Sequence, residues 1–238
     1  MFKKLSAAKQ VSEVPGLFVV GTDTGVGKTY VAARIAAALF GQGLKVGVYK
    51  PAASGCGRIG KKLVSDDAVQ LWEAAGKPGT LEAVCPQRFA APLAPHLAAK
   101  EEGQRMDAKL LRTGIEYWRK RSDVVIVEGA GGLLSPMTDT KSVADLAEAF
   151  GYPLVVVVPN RIGAINGCLL TLTAAAARAK PLAVAAIVVN DVLLKDHDDP
   201  STASNFREIK KRCGVPVLSL KHGAEQFDGP VNWLRLAS

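Results

Sequence analysis

The chain is poor in cysteine, has no long apolar run and shows no repeat, and each shortage excludes something. Cys56, Cys85, Cys168 and Cys213 are its only four cysteines in 238 residues. None forms a C-x-x-C pair or sits beside a histidine at metal-ligand spacing, which argues against structural zinc. They read as reduced thiols, as expected of a cytoplasmic protein. No apolar run approaches the roughly 20 residues of a membrane span, so no membrane partner is expected. The stretch from Met1 to Glu13 is polar, carries Lys3, Lys4 and Lys9, and lacks the apolar core of a secretory signal. It reads as a flexible leader or an extra surface helix.

What is present is globular. Hydrophobic residues make up 48% and charged residues 22%, enough apolar content to bury one sizeable core. Residues 1–15 are therefore assigned to the leader and 16–238 to a single domain. The net charge of +8 raises the question of nucleic acid. The basic groups Lys61-Lys62, Arg119-Lys120-Arg121 and Lys210-Lys211-Arg212 are dispersed at predicted helix ends and turns, however. They read as solvated surface charge, and no nucleic-acid partner is expected.

Apolar β-type runs alternate with helical patterns along the chain. Strands are expected at Leu17–Val20, Lys45–Tyr49, Asp123–Val127, Leu154–Val158, Val184–Val189 and Val215–Leu218. Helices are expected near 31–39, 66–75, 107–120, 165–179 and 202–212. Pro51–Gly60 reads as turns, and Gly76–Gly103 as irregular connections. Continuous valine-rich runs suit strands buried on both faces. The expected fold is α/β: one doubly wound, mainly parallel sheet with helices on both faces.

The most informative stretch is Gly21-Thr22-Asp23-Thr24-Gly25-Val26-Gly27-Lys28-Thr29, between a predicted strand and a predicted helix. Strand, glycine-rich loop, Gly-Lys-Thr and helix form a phosphate-binding pattern, so the expected doubly wound domain is P-loop NTPase-like. Glycines let backbone N–H groups curl round phosphate oxygens, and the helix N-terminus adds donors and partial positive charge. Lys28 can reach the outer phosphates, and the Thr29 hydroxyl can ligate magnesium. The first glycine falls one residue earlier than in the common motif, so the loop is one residue longer. The plain alternative is a tight turn with an exposed lysine.

In a doubly wound sheet, ligands bind beyond the carboxyl ends of the strands. Lys50 and Ser54 follow the second predicted strand. Glu128-Gly129-Ala130-Gly131 follows Val-Val-Ile-Val, where a carboxylate can serve a magnesium shell or cap a turn. Asp67 is a second candidate carboxylate, although Asp66 or Asp67 could equally be a helix N-cap. Asn160 to Asn166 and Asn190-Asp191 complete the rim. The Asn190 amide can pair with a nucleobase or cap the turn after its strand.

Taken together, G-T-D-T-G-V-G-K-T, K-P-A-A-S-G, S-D-D-A, E-G-A-G-G, I-G-A-I-N-G-C-L-L-T and V-N-D-V resemble the dethiobiotin synthetase family, in family order, from about Gly16 to Val217. The longer loop is itself a trait of that family. The resemblance implies an ATP- and Mg2+-dependent ligase acting on 7,8-diaminopelargonate and carbon dioxide. One amine becomes a carbamate, the γ-phosphate activates it as a mixed anhydride, and the second amine closes the ureido ring. It implies Lys28 and Lys50 as catalytic cations and Thr29, Asp67 and Glu128 as magnesium ligands. Gly25, Val26, Gly27, Lys28, Thr29, Tyr30, Asp67, Glu128, Gly129, Ala130, Gly131, Asn190 and Asp191 would line the nucleotide. Thr24, Lys50 and Ser54 would position the diamine. Gly163, Ala164, Ile165 and Asn166 would receive the substrate carboxylate across a homodimer.

The chain departs from the family at four places. It has Ala94-Pro95-His96 for a frequent Ser-Pro-His, Gly167 for a frequent histidine and Arg161 for a frequent lysine. Leu218–Ser238 lacks the usual proline-rich segment beside the base. These changes bear on base preference and on the fit of the diamine tail. Among rivals, a partition-type ATPase normally carries an early loop lysine, where this chain has Thr22 and Asp23. A cobyrinate-type amidotransferase needs a further glutaminase domain. A non-catalytic nucleotide-binding module would not require Lys28, Lys50, Thr29 and Glu128 together.

Overall fold

The structure is a computed structural model that describes residues 14–192 and 199–238. The expected leader lies outside the described residues, apart from its last two. The chain opens with β1 (Gly16–Gly21), whose six residues are all buried, then the glycine loop and α1 (Lys28–Phe40). β2 (Val46–Tyr49) leads into β3 (Ala52–Ala53), the hairpin β4 (Gly57–Ile59) and β5 (Lys62–Val64), and α2 (Asp66–Ala74). Next come α3 (Leu81–Val84), β6 (Gln87–Arg88), α4 (Pro95–Glu101), α5 (Ala108–Thr113) and α6 (Glu116–Arg119). The second half alternates regularly: β7 (Val124–Gly132), α7 (Val143–Phe150), β8 (Leu154–Pro159), α8 (Ala164–Ala176) and β9 (Val184–Asn190). It closes with α9 (Thr202–Arg212), β10 (Val217–Leu220) and α10 (Trp233–Ala237).

Six strands form the main sheet in the order β10-β9-β8-β1-β7-β2, and every pairing in it is parallel. Parallel strands bury both faces, which explains the valine-rich runs. Helices flank the sheet, and one core joins Leu17 and Phe18 of β1 to Trp233 and Ala237 of α10. Each fully buried Leu, Val or Phe contributes about 1.5–3 kcal/mol.

Register sets the site. Tyr49 lies opposite Val127, and Val19 lies opposite Glu128. Lys50, one residue past Tyr49, is therefore level with Glu128. Beyond Glu128 the pairing slips, with Gly21 opposite Gly132, so β7 carries two extra residues beside the start of the glycine loop.

The structure corrects several expectations. Pro51–Gly60 contains β3 and β4, and Gly76–Gly103 contains α3, β6 and α4 rather than irregular chain alone. Pieces of two to seven residues are too short to show periodicity. They are fixed by distant backbone bonds such as Lys50 N–H to Val84 O (2.8 Å) and Phe89 N–H to Ala53 O (2.9 Å). The helix expected over 107–120 breaks in two. Gly114 sits where a Cβ would lie 2.4 Å from the Tyr49 hydroxyl, which itself donates to Leu110 O and Leu111 O. The last strand lies two residues later than expected, paired through Val217 opposite Ile187. α7 and α10 are additions to the elements expected from the sequence.

Candidate active site

The strand ends bring most of the predicted residues together. Gly27 takes φ 85 at the N-cap of α1, with no side-chain cap and no acidic residue in the first turn. The first N–H groups of that helix are thus left for an anion. A Cβ on Gly27 would lie 2.1 Å from Asn190 Nδ2, so both conformation and space require glycine. Asn190, only 2% exposed, donates from Nδ2 to Val26 O at 3.0 Å and so ties β9 to the loop. Its Oδ1 is buried without a partner.

Lys28 folds back and donates to the Asp23 carbonyl at 2.9 Å. Burial is the main cause that holds its pKa below the ordinary lysine value, and Lys50 adds to it against the pull of Glu128. Lys50, 4% exposed, lies 2.6 Å from both Asp67 Oδ2 and Glu128 Oε1. Burial works to lower its pKa, but the two carboxylates outweigh that and hold the ammonium charged. For Asp67, burial is outweighed by Lys50, and its carboxyl falls below the usual range. Burial pushes Glu128 upward against Lys50. Glu128 also accepts from Thr29 Oγ1 at 2.8 Å.

Neither Asp66 nor Asp67 is a helix cap. Ser65 caps α2 by accepting from Ala68 N–H at 3.3 Å, which leaves Asp67 free in the first turn to meet Lys50. Sequence reasoning missed Ser65, although a serine just before an acidic first turn is a recognised cap signal. Glu128 is likewise no turn cap, because β7 runs through it.

Gly129, Ala130 and Gly131 continue β7 beside the loop; a Cβ built on Gly131 would be 3.6 Å from Thr24 Oγ1. Tyr30 donates its hydroxyl to Ala224 O. Asp191 turns away from the loop, with Oδ1 accepting from Asn160 Nδ2 at 2.7 Å. Ser54 is half-buried, while Thr24, Gly163 and Asn166 are exposed. Gly163 is the left-handed N-cap of α8, again with no side-chain cap and no acidic first turn. Ala164 and Ile165 open that helix.

Thr29, Asp67 and Glu128 offer hard oxygen donors, and Glu128 Oε2 is buried without a partner. No cluster of three or more His, Cys, Asp or Glu that could hold a metal exists among the described residues. Donors of this kind fit a magnesium ion, which takes one or two carboxylates and otherwise phosphate and water.

A family model described as an AAA domain matches residues 15–220. A Rhodopirellula baltica protein described as an ATP-dependent dethiobiotin synthetase is 40% identical over 225 residues, covering 90% of this chain and 85% of that one. One of the same description from Anaeromyxobacter dehalogenans (strain 2CP-C) is 43% identical over 205 residues, covering 86% and 88%.

The chain belongs to the dethiobiotin synthetase family.

Solved structures of low sequence identity to this chain share the fold. The signal recognition particle receptor FtsY from Elizabethkingia anophelis has a TM-score of 0.55 at 18% identity, covering 95% of this chain and 65% of that one. A ParA family ATPase from Chlorobium tepidum has a TM-score of 0.50 at 17% identity, covering 89% and 84%. Among the positions where this chain departs from the dethiobiotin synthetase pattern, Gly167 would place a Cβ 3.5 Å from the Thr22 side chain, an ordinary contact. Ala94 is the N-cap of α4 and makes no side-chain cap bond. The C-terminal segment packs without a proline-rich stretch: Ala224 receives Tyr30, and Phe227 meets the buried Trp233 ring at 4.8 Å.

Proposed function

We propose that the chain is an ATP-dependent dethiobiotin synthetase. It closes the ureido ring from 7,8-diaminopelargonate and carbon dioxide and releases ADP and phosphate. The observation that carries this reading is the bonded cluster of Lys50, Asp67, Glu128 and Thr29 beside Lys28 and the uncapped start of α1.

The reaction joins two anions, a carbamate and a γ-phosphate. Lys28 and Lys50 would offset their repulsion, Lys50 being kept charged by its two carboxylates. One amine nitrogen attacks carbon dioxide and loses a proton to give the carbamate. A carbamate oxygen then attacks the γ-phosphorus, ADP leaves, and a carbamic–phosphoric anhydride results. The second amine attacks the carbonyl carbon, phosphate departs and the ring closes. Thr24 and Ser54 would hold the diamine so that this second attack is intramolecular and oriented. Gly25, Val26, Gly27 and the first turn of α1 through Tyr30 would surround the phosphates, faced by Glu128 to Gly131. Thr29, Asp67 and Glu128 would hold magnesium, which when bound with nucleotide draws charge from the phosphate oxygens.

The free, buried Oδ1 of Asn190 supports its contact with the adenine amino group, since Nδ2 is already committed to Val26. Asp191 would serve the nucleotide through its backbone, its carboxylate being held by Asn160. A homodimer is supported by Ile162 and Leu170, which are 78% and 61% exposed beside and on α8. Burying them would bring a partner's Gly163–Asn166 helix start to the substrate carboxylate. The enzyme would work in the cytoplasm. No described helix is long and apolar enough to cross a membrane.

The direct test supplies diaminopelargonate, bicarbonate, magnesium and ATP, and follows phosphate release. Release is expected to require the diamine. Release at the same rate without it would contradict the reading.

A further inference from the structure

A second concavity, of about 410 Å³, lies where the β4–β5 hairpin, β6 and the turn after α4 meet. Its rim carries four cations: Arg58 and Lys61 from the hairpin, Arg88 from β6 and Arg105 from the turn after α4. None of the four makes an ion pair among the described residues. The one carboxylate in the wall is Glu102, whose Oε1 accepts from Ala90 N–H at 2.6 Å and Ala91 N–H at 3.1 Å. The Gln87 amide is closed on the backbone of Asp107 in both directions. The wall therefore presents four cations against one carboxylate, and none of the four is paired with it.

Like charges gathered in a hollow repel one another and concentrate anions. Three guanidinium forks and one ammonium match phosphate oxygens in both geometry and charge, and the volume suits a small metabolite. The hollow is separate from the glycine loop, yet its walls are bonded to the frame of the site. Phe89 N–H donates to Ala53 O, next to Ser54, and Cys56 N–H donates to Phe89 O. The hairpin runs directly into the Ser65 cap and Asp67.

We propose that this hollow is a second anion site that takes a small phosphate-bearing molecule, and that an occupant draws the β4–β5 hairpin onto β6. Arg58 and Lys61 approach the phosphate from the hairpin, and Arg88 and Arg105 approach it from the opposite wall. Occupancy thereby stiffens the segment that carries Ser54 and leads to Asp67.

The full chain is titrated calorimetrically in metal-free buffer with inorganic phosphate and, separately, with glucose 6-phosphate. Wild type, Lys28→Ala and the double variant Arg88→Ala/Arg105→Ala are compared. A saturable component is expected that Lys28→Ala retains, that the double variant weakens at least tenfold, and that fades with added salt. Tighter binding of the free anion or of the ester identifies which source of phosphate the hollow takes. Hydrogen exchange across residues 57–64 should slow on binding. If the double variant does not fold, Arg58→Ala/Lys61→Ala on the exposed hairpin must show the same loss. Binding that disappears with Lys28→Ala and survives in the hollow's variants belongs to the glycine loop and overturns the proposal. Absence of any saturable binding overturns it equally.

Discussion

On the proposed phosphate side of the rim, Lys28, Lys50 and Glu128 are buried and already hold neighbouring groups. On the proposed acceptor side, Thr24, Gly163 and Asn166 face solvent, and Ser54 is half-buried. The difference follows from what burial costs. A buried charge without a partner is destabilising by several kcal/mol, so the charges on this side are paired within the protein, leaving Glu128 Oε2 and Asn190 Oδ1 for a ligand. Exposed hydroxyls, amides and helix-start N–H groups keep water as their partner and can wait. The phosphate side is therefore preassembled, whereas the acceptor side, on the proposed reading, is completed by substrate and a second subunit.

Two substitutions probe that contrast, and a third serves as its control. Gly27→Ala should have the largest effect. It forces an alanine into φ 85 with its Cβ 2.1 Å from Asn190 Nδ2. Nucleotide affinity, measured by fluorescence titration, should fall roughly a hundredfold, about 3 kcal/mol. A smaller fall would mean that the phosphate side is less rigid than its bonds imply.

Leu170→Glu tests the other side. Placing a charge on the exposed face of α8 should convert a dimer to monomers in sedimentation and raise the diamine KM about tenfold. Nucleotide affinity should not change. A variant that stays dimeric would remove α8 from the interface.

Asp145→Asn lies away from both halves and should act only on stability. Burial tends to raise the Asp145 carboxyl, but bonds from Ser142 and Arg178 bring it down to about 2 from an ordinary 3.8. Its folded-state value lies below its unfolded one, so its contribution is full above about pH 4 and is lost as pH falls towards 2. The variant should lack that acid slope and be about 1 kcal/mol less stable at pH 7 in denaturant titration. Turnover at pH 7 should be unchanged.

The parts of the fold legible in the sequence are those whose physics is local. Buried parallel strands such as β8 (Leu154–Pro159) announce themselves as apolar runs, and the glycine loop by its residue types. The helix over Thr202–Arg212 falls where its pattern places it. α7 is equally legible in principle, since Ser142 and Asp145 form a capping box ahead of its apolar run, a signal that the alternation of apolar runs alone does not use. The stretch around α3, β6 and α4 is not legible, because β6 is fixed only by pairing with β3, and α3 and α4 span just four and seven residues. The same holds within the site. Lys28 and Thr29 are readable from the motif, whereas the Lys50–Glu128 contact depends on the register of β2 against β7, which no local pattern encodes.

The central claim is that Lys50 serves the acceptor chemistry from a preassembled phosphate side. Lys50→Ala tests it most directly, by comparing nucleotide affinity with diamine-dependent phosphate release in protein shown to be folded by circular dichroism. The account predicts nucleotide affinity within a few-fold of wild type and turnover lowered by roughly a hundredfold or more. Turnover within tenfold of wild type would contradict it.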